Sequence, residues 1–382
     1  MLTALFTFIF IFYLIFIGLL VFGIDKVEEF KLQDLQAKSK FSVIIPFRNE
    51  ATNLPVLLEA IVNLNYPKTM FEVILVDDDS EDNSVSIIKK FLNSGTKKNN
   101  AAINNIRIIQ NTRTSGSPKK DAITTAIKNS NYSWIITTDA DCILPKYWLD
   151  AFDECIQINQ PNCIAAPVTY LGKTSFFNRF QTLDFLSLQG ATIGGFGIKK
   201  PFMCNGANFA YRKSEFNAVN GFVGNDTISS GDDVLLLEKF LNQNATKVHY
   251  LKSRQAIVTT APSQNMDELV QQRLRWASKT KYYNNRFAKT IGLVVFLGNL
   301  MCLGLIPAVG FQFISIKIAI ALFVIKFCID FLLLFKTSRF FKQENLLVSY
   351  LFSSFIYPFF NVYVAFLSFF KSHEWKGRTF KK

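Results

Sequence analysis

The sequence predicts an α/β, Rossmann-like domain between an N-terminal transmembrane anchor and C-terminal transmembrane helices. Three observations predict it. Apolar runs open and close the chain, short apolar stretches alternate with helical patterns between them, and acids stand at the ends of three of those stretches. The 382 residues suffice for two or three average domains, and 49% are hydrophobic. That composition argues against a disordered chain and against an ordinary, fully soluble enzyme. Six Cys without a C-x-x-C pair argue against a disulfide scaffold or a Cys-ligated zinc site, and two distant His against a His-rich metal centre.

Residues 1–24 carry no charged side chain. A helix of that length rises roughly 36 Å, enough for a ~30 Å hydrocarbon core. No Lys or Arg precedes the run, and Gly23-Ile24-Asp25 is not an A-x-A-like cleavage site, so an uncleaved anchor is expected rather than a signal peptide. Lys26, Lys31, Lys38 and Lys40 follow, which puts the next domain in the cytosol. Three more membrane segments are expected near 291–311, 314–335 and 346–370. Lys326 and Asp330, four apart in the second, can pair on one helix face. Pro358 lies in the third, and a basic tail, 371–382, follows it. A simple third crossing would put that tail outside; a re-entrant or in-plane segment broken at Pro358 would resolve the conflict. The expectation is a multi-pass protein of a bacterial inner membrane. The net charge of +13 finds its simplest partner in anionic membrane lipid, since no nucleic-acid-binding motif occurs.

The middle, 25–290, reads as one catalytic domain with a nucleotide-binding half, 41–141, and an acceptor half, 142–290. Phe41-Ser-Val-Ile-Ile45 is a buried strand ended by Pro46, and Asn53 to Leu64 has helical spacing. Phe71 to Val76 is a strand, Val85 to Leu92 a helix, Ile106 to Gln110 a strand and Asp121 to Lys128 a helix. Ser133 to Thr138 is a fourth strand. Ligands of such sheets bind beyond the carboxyl ends of the strands, where residues 46–50, 77–80 and 139–141 fall. No G-x-G-x-x-G follows the first strand and no Walker A occurs, which disfavours a dinucleotide oxidoreductase or a P-loop ATPase.

Asp139 and Asp141 are two apart at a strand end, so both point the same way. Paired carboxylates without His or Cys suit a hard cation, Mg²⁺ or Mn²⁺; read alone, the pair is more commonly a solvated acidic turn. Asp233 follows the turn signal Ser229-Ser-Gly231 and opens Val234-Leu-Leu-Leu237, a helix start where an acid is either a plain cap or a base. Gln272, Arg275 and Trp276 fall on one helix face. Arg275 suits phosphate and Trp276 a sugar or lipid head; an interfacial helix is the structural alternative. Phe176, Phe177, Phe180 and Leu183 recur at helical spacing and read as an internal packing stripe.

Together, Phe41-Ser-Val-Ile-Ile-Pro-Phe-Arg-Asn-Glu50, Val76-Asp-Asp-Asp-Ser-Glu-Asp82 and Asp139-Ala-Asp141 resemble the family 2 glycosyltransferases of GT-A fold. Asn205-Gly-Ala-Asn-Phe-Ala-Tyr-Arg212, Ser230-Gly-Asp-Asp-Val234 and Gln272-Arg-Leu-Arg-Trp276 extend the resemblance over residues 41–276, in the family's order. The flanking anchors resemble its membrane-bound members. The resemblance implies a Rossmann-like mixed sheet, a nucleotide-sugar donor with uridine as base, Mg²⁺ or Mn²⁺, and inverting transfer to a lipid or glycan acceptor. It puts Pro46 and Glu50 near the nucleoside, Asp77 and Asp78 at the uracil and ribose, and Lys119 and Lys120 where the family has a basic residue near the nucleotide. It makes Asp139 the ribose-side acid of the D-x-D and Asp141 its metal-binding acid. It makes Asp233 the catalytic base, and Asn208, Asp232, Gln272, Arg275 and Trp276 the acceptor or diphosphate side. Processive synthases of the family usually follow R-W with a short pattern ending in Gly; here the run is Arg275-Trp-Ala-Ser-Lys279. Transfer of one or a few sugars to a lipid or lipid-linked acceptor is therefore expected ahead of a cellulose- or poly-N-acetylglucosamine-synthase-like polymerase. A non-catalytic membrane scaffold ranks last.

Overall fold

The computed structural model describes residues 2–96, 104–172, 175–228, 230–371, 373–375 and 378–380. Residue 229 of the expected turn, and residues 372, 376, 377, 381 and 382 of the basic tail, lie outside the described residues. In chain order the elements begin with α1 (Leu2–Lys26), β1 (Phe41–Phe47), α2 (Leu54–Val62), β2 (Phe71–Asp77), α3 (Ser84–Thr96) and β3 (Ile106–Gln110). Next come α4 (Pro118–Lys128), β4 (Trp134–Thr137), β5 (Cys142–Ile143), α5 (Trp148–Asn159), β6 (Cys163–Ala165), β7 (Val168–Tyr170) and α6 (Phe176–Gly197). Then follow β8 (Phe209–Arg212), α7 (Lys213–Ala218), α8 (Val234–Asn244), β9 (Val248–Tyr250), β10 (Val258–Thr260) and α9 (Met266–Ser278). The chain closes with α10 (Arg286–Gly310), α11 (Ile316–Phe341), α12 (Tyr350–Phe370), β11 (His373–Trp375) and β12 (Arg378–Phe380).

These elements form two compact units, and the division differs from a single body over 25–290. One unit is Glu28–Leu171 with Cys204–Ala261. The other is Met1–Val27, Gly172–Met203 and Pro262–Lys382. The physical reason is α6. This helix, expected to belong to the catalytic domain, packs on the apolar helices α1 and α11 instead, and its Phe180 ring meets that of Phe360 in α12 at 5.4 Å.

In the first unit a seven-stranded sheet runs β3-β2-β1-β4-β8-β6-β9. β1 and β2 are apolar along nearly their whole length and are buried on both faces, as central strands under helices must be. β1 lies between β2 and β4, parallel to both, with Phe47 opposite Asp77 and Ile44 opposite Thr137. The chain therefore leaves all three strands at one edge of the sheet. β8 is antiparallel to β4 and starts there too, with Phe209 opposite Thr137. The sheet is thus mixed. The segment after the first helix is strapped to α5. Asp153 accepts the backbone N–H groups of Lys38 and Ser39, at 3.0 and 2.9 Å, and Glu154 those of Gln33 and Leu35, at 2.6 and 3.0 Å.

In the second unit α1, α10, α11 and the stretch Glu344–Ser368 are four helices long and apolar enough to cross a membrane. α1 meets α6 through glycine. A Cβ on Gly23 would strike the Gly194 carbonyl, one on Gly194 the Leu20 carbonyl, and one on Gly197 the Gly23 carbonyl. Such small residues let helix backbones approach closely where no water drives association. Lys326 does pair with Asp330, at 2.6 Å, and Tyr13 of α1 donates its hydroxyl to the same carboxylate at 2.7 Å. Of the two alternatives for the last segment, no helix break at Pro358 is seen: α12 runs from Tyr350 to Phe370 with Pro358 inside it. This helix packs on α9 and α10.

Candidate active site

The edge where β1, β2 and β4 end carries the acids. Pro46 is the penultimate residue of β1; Asn49 takes a left-handed conformation, φ 53°, that turns the chain into Glu50. Glu50 is buried, and its Oε2 accepts from Asn53 Nδ2 at 2.6 Å while its N–H donates to Ser84 Oγ at 2.8 Å. Asp77 ends β2 and its Oδ1 accepts the Ser80 N–H at 3.0 Å. Asp78 is buried and accepts from Asn111 Nδ2 at 2.7 Å and Arg113 Nε at 2.8 Å. That bond to Asp78 raises the Arg113 pKa further above its already high ordinary value. Arg48 donates to the carbonyls of Asp78 and Asp79, at 2.9 and 2.6 Å, and fastens the end of β1 to the loop after β2. Arg48, Asn111 and Arg113 went unassigned in the sequence. Buried acids need such partners, so an Asp-rich loop was itself a signal to look for them.

A second constellation gathers around Lys119, in the first turn of α4. Its Nζ lies 2.7 Å from Asp139 Oδ1 and 3.0 Å from Asp232 Oδ2. Residues far apart in sequence thus meet on one ammonium. Burial disfavours the Lys119 charge, but the two carboxylates outweigh it and hold the group protonated above the ordinary lysine range. Gly206 makes room: a Cβ there would lie 2.8 Å from Asp232 Oδ2. Thr137 Oγ1 donates to the Gly206 carbonyl at 2.8 Å, which ties this turn to β4. Asp233 stands beside them as the N-cap of α8, and its Oδ1 accepts the Val234 N–H at 2.7 Å. Asp141 is half-buried, with Cys142 Sγ 3.7 Å from its Oδ1.

The donor set around Asp139 and Asp232 suits a hard divalent ion. The facing groups are carboxylate oxygens. Burial first, then the charges of Asp141 and Asp139, push the Cys142 thiol well above its usual range, so no thiolate competes. Among the described residues no three His, Cys, Asp or Glu gather into an all-protein cage. A bound Mg²⁺ or Mn²⁺ would complete its shell with phosphate and water.

Two expected site residues are structural. Lys120 points its Nζ to the carbonyls of Asn225 and Ile228, at 2.6 and 2.9 Å, and is buried. One residue along α4 turns it away from Lys119's direction by about 100°. Asn208 is wholly buried: its Oδ1 accepts from Trp148 Nε1 at 2.9 Å, and its Nδ2 donates to the carbonyls of Pro167 and Ala256, at 2.8 and 2.7 Å. It knits the fold and presents nothing to an acceptor.

Gln272, Arg275 and Trp276 lie half-buried on α9, in the helical unit. A further contact there belongs to Arg273, which no motif role singled out. Its Nε lies 2.6 Å from Asp184 Oδ2 on α6, its Nη1 donates to Gln272 Oε1, and its guanidinium covers the Trp276 ring at 4.3 Å. The signal was Asp184 itself, an acid within the apolar run of α6 that requires a partner.

Sequence profiles decide the family. Glycosyl transferase family group 2 matches residues 134–369, and Glycosyl transferase family 2 matches residues 42–219. The chain belongs to the family 2 glycosyltransferases. Among relatives of this family 2 member is the glycosyltransferase AglE of Haloferax volcanii, 33% identical over 28% of this chain and 33% of the relative. The probable glycosyltransferase YdaM of Bacillus subtilis is 25% identical over 67% of this chain and 58% of its own length. The poly-beta-1,6-N-acetyl-D-glucosamine synthase of Staphylococcus epidermidis is 24% identical over 39% of this chain and 33% of the synthase. Each match spans less than two thirds of the relative. The mannosyltransferase PcManGT of Pyrobaculum calidifontis, solved with GDP-Man and Mn²⁺, superposes with a TM-score of 0.59 and 15% identity. That match covers 93% of this chain and 99% of the mannosyltransferase, and it shows the shared GT-A fold.

Proposed function

We propose that this family 2 member is an inverting glycosyltransferase that moves a sugar from a nucleotide-sugar, UDP-linked, to a lipid or lipid-linked acceptor at the cytosolic face of a membrane. One observation carries the reading: Asp139 of the D-x-D and Asp232 of the second acidic pair meet across Lys119, beside the helix-capping Asp233. Four apolar helices in the same chain support a membrane-borne acceptor.

In this proposal Pro46, Glu50, Asp77 and Asp78 hold the nucleoside, with Asn111 and Arg113 fixing the Asp78 carboxylate. Asp233 is the base. It takes the proton of an acceptor hydroxyl as that oxygen bonds to the anomeric carbon, while the bond from that carbon to the diphosphate oxygen breaks and the nucleoside diphosphate leaves. The Val234 N–H holds one Asp233 oxygen at 2.7 Å. Asp139 and Asp141, joined by the Asp232 carboxylate that faces Asp139 across Lys119, would hold a divalent ion, which supplies charge neutralisation at the departing diphosphate. Gln272, Arg275 and Trp276 take the acceptor or diphosphate side.

A polymerase is the second reading, favoured by similarity to the poly-beta-1,6-N-acetyl-D-glucosamine synthase over 39% of this chain. Membranes carrying the protein, incubated with radiolabelled UDP- and GDP-sugars, separate the two. Label in extractable glycolipid is the expected result. A large polymer with no labelled glycolipid would reject the lipid-acceptor reading, and transfer from GDP-sugars alone would correct the base.

A further inference from the structure

The meeting point of Asp139 and Asp232 already holds a cation of the chain's own. The Lys119 side chain is 16% exposed, and its Nζ lies 2.7 Å from one carboxylate and 3.0 Å from the other. Lys119 stands in α4, and the two acids stand close to element ends, Asp139 two residues past β4 and Asp232 two before α8. The fit is tight on a further side, because a Cβ on Gly206 would lie 2.8 Å from Asp232 Oδ2 and 3.5 Å from Lys119 Nζ. A divalent ion bound by these carboxylates would stand within a few ångströms of the ammonium. Like charges at that range repel strongly in a partly buried site. The carboxylate charge, moreover, is already compensated by Lys119, so the pair offers an incoming metal less than two uncompensated acids would.

We propose that Lys119 is a resident counter-cation that keeps divalent metal off the Asp139–Asp232 pair until a nucleotide diphosphate arrives. The inference rests on the nucleotide-sugar reading above and adds to it an order of binding. The diphosphate brings the negative charge that makes two neighbouring cations tolerable. Its oxygens accept the ammonium, and the carboxylates are released to the metal. Lys119 is thus a positioning residue, and metal and nucleotide each raise the affinity of the other by the same factor.

The test is Mn²⁺ binding by the full-length protein in detergent micelles, followed by electron paramagnetic resonance with and without UDP. In the wild type, saturating UDP is expected to tighten Mn²⁺ binding by about tenfold or more. Lys119→Met is expected to bind Mn²⁺ about tenfold more tightly than wild type in the absence of UDP, with the UDP effect correspondingly reduced. Lys119→Arg, which keeps the charge, should behave as wild type. If Lys119→Met gains no Mn²⁺ affinity without UDP while its circular dichroism and unfolding temperature match wild type, the proposal is overturned. Should that variant fail to fold, Lys119→Gln, which keeps a donor without the charge, is held to the same criterion. Failure of the nucleotide reading has a different signature. A wild type that binds no UDP overturns that reading, while the nucleotide-free comparison still decides what Lys119 does to metal binding.

Discussion

Asp233 and Lys120 show two fates of charged residues in one half of the fold. Asp233 caps α8 beside the Lys119 cluster, and the proposed chemistry gives it the acceptor proton. Asp233→Asn keeps the shape and the cap but abolishes the base. Transfer should fall by about 10²- to 10⁴-fold with UDP affinity unchanged, measured by product formation and by calorimetry; unaltered turnover would remove Asp233 from that role. Lys120, itself buried, holds the carbonyls of Asn225 and Ile228. Lys120→Met would strip both carbonyls of the ammonium donor and leave the Asn225 carbonyl with the Ile228 N–H, at 3.2 Å. The expected loss is about 1–3 kcal/mol of stability, read from chemical unfolding, with UDP affinity retained in the folded fraction. A loss of UDP affinity at full stability would instead return Lys120 to the nucleotide.

Single elements place whole sets of these residues. α4 is the clearest case, because successive positions serve different ends: Lys119 meets the acids and Lys120 the 225–228 loop. α5 does similar work for the segment that follows α1, where Asp153 and Glu154 take up four backbone N–H groups of residues 33–39. α6 depends on the absence of side chains. Gly194 lets the Leu20 carbonyl of α1 approach so closely that a Cβ would overlap it. Gly194→Val should therefore push α1 and α6 apart and destabilise the helical unit by about 1–3 kcal/mol, the usual range for overpacking. The unfolding temperature in detergent checks this, and an unchanged value would mean that the helices do not pack through Gly194.

Among the described residues, a mixed sheet and four helices of membrane-spanning length and composition belong to one chain. It is expected to stay in the membrane pellet after alkaline carbonate extraction; release into the supernatant would contradict an integral protein. Much of this was legible in the chain. Charge-free apolar runs reveal α1 and α10, because length and hydropathy are local properties. The aspartates at the end of β2 and the D-x-D mark strand ends, because acids are depleted in strands; Pro46, expected to end β1, falls one residue short of its end at Phe47. The pairing of Lys326 with Asp330 follows from helical spacing alone. Three-dimensional packing decided the rest. No local pattern tells that Lys119 rather than Lys120 faces the acids, since both sit in one helical turn and only the docking of α4 on the sheet selects between them. Asn208 lies in a motif-bearing turn, yet its side chain is consumed by Trp148, Pro167 and Ala256, each distant in sequence. α6 reads as an ordinary amphipathic stripe until its glycines are seen against α1. Spacing along the chain reports which face a residue occupies. What covers that face depends on contacts between segments up to hundreds of residues apart, and these exist only once the chain has folded.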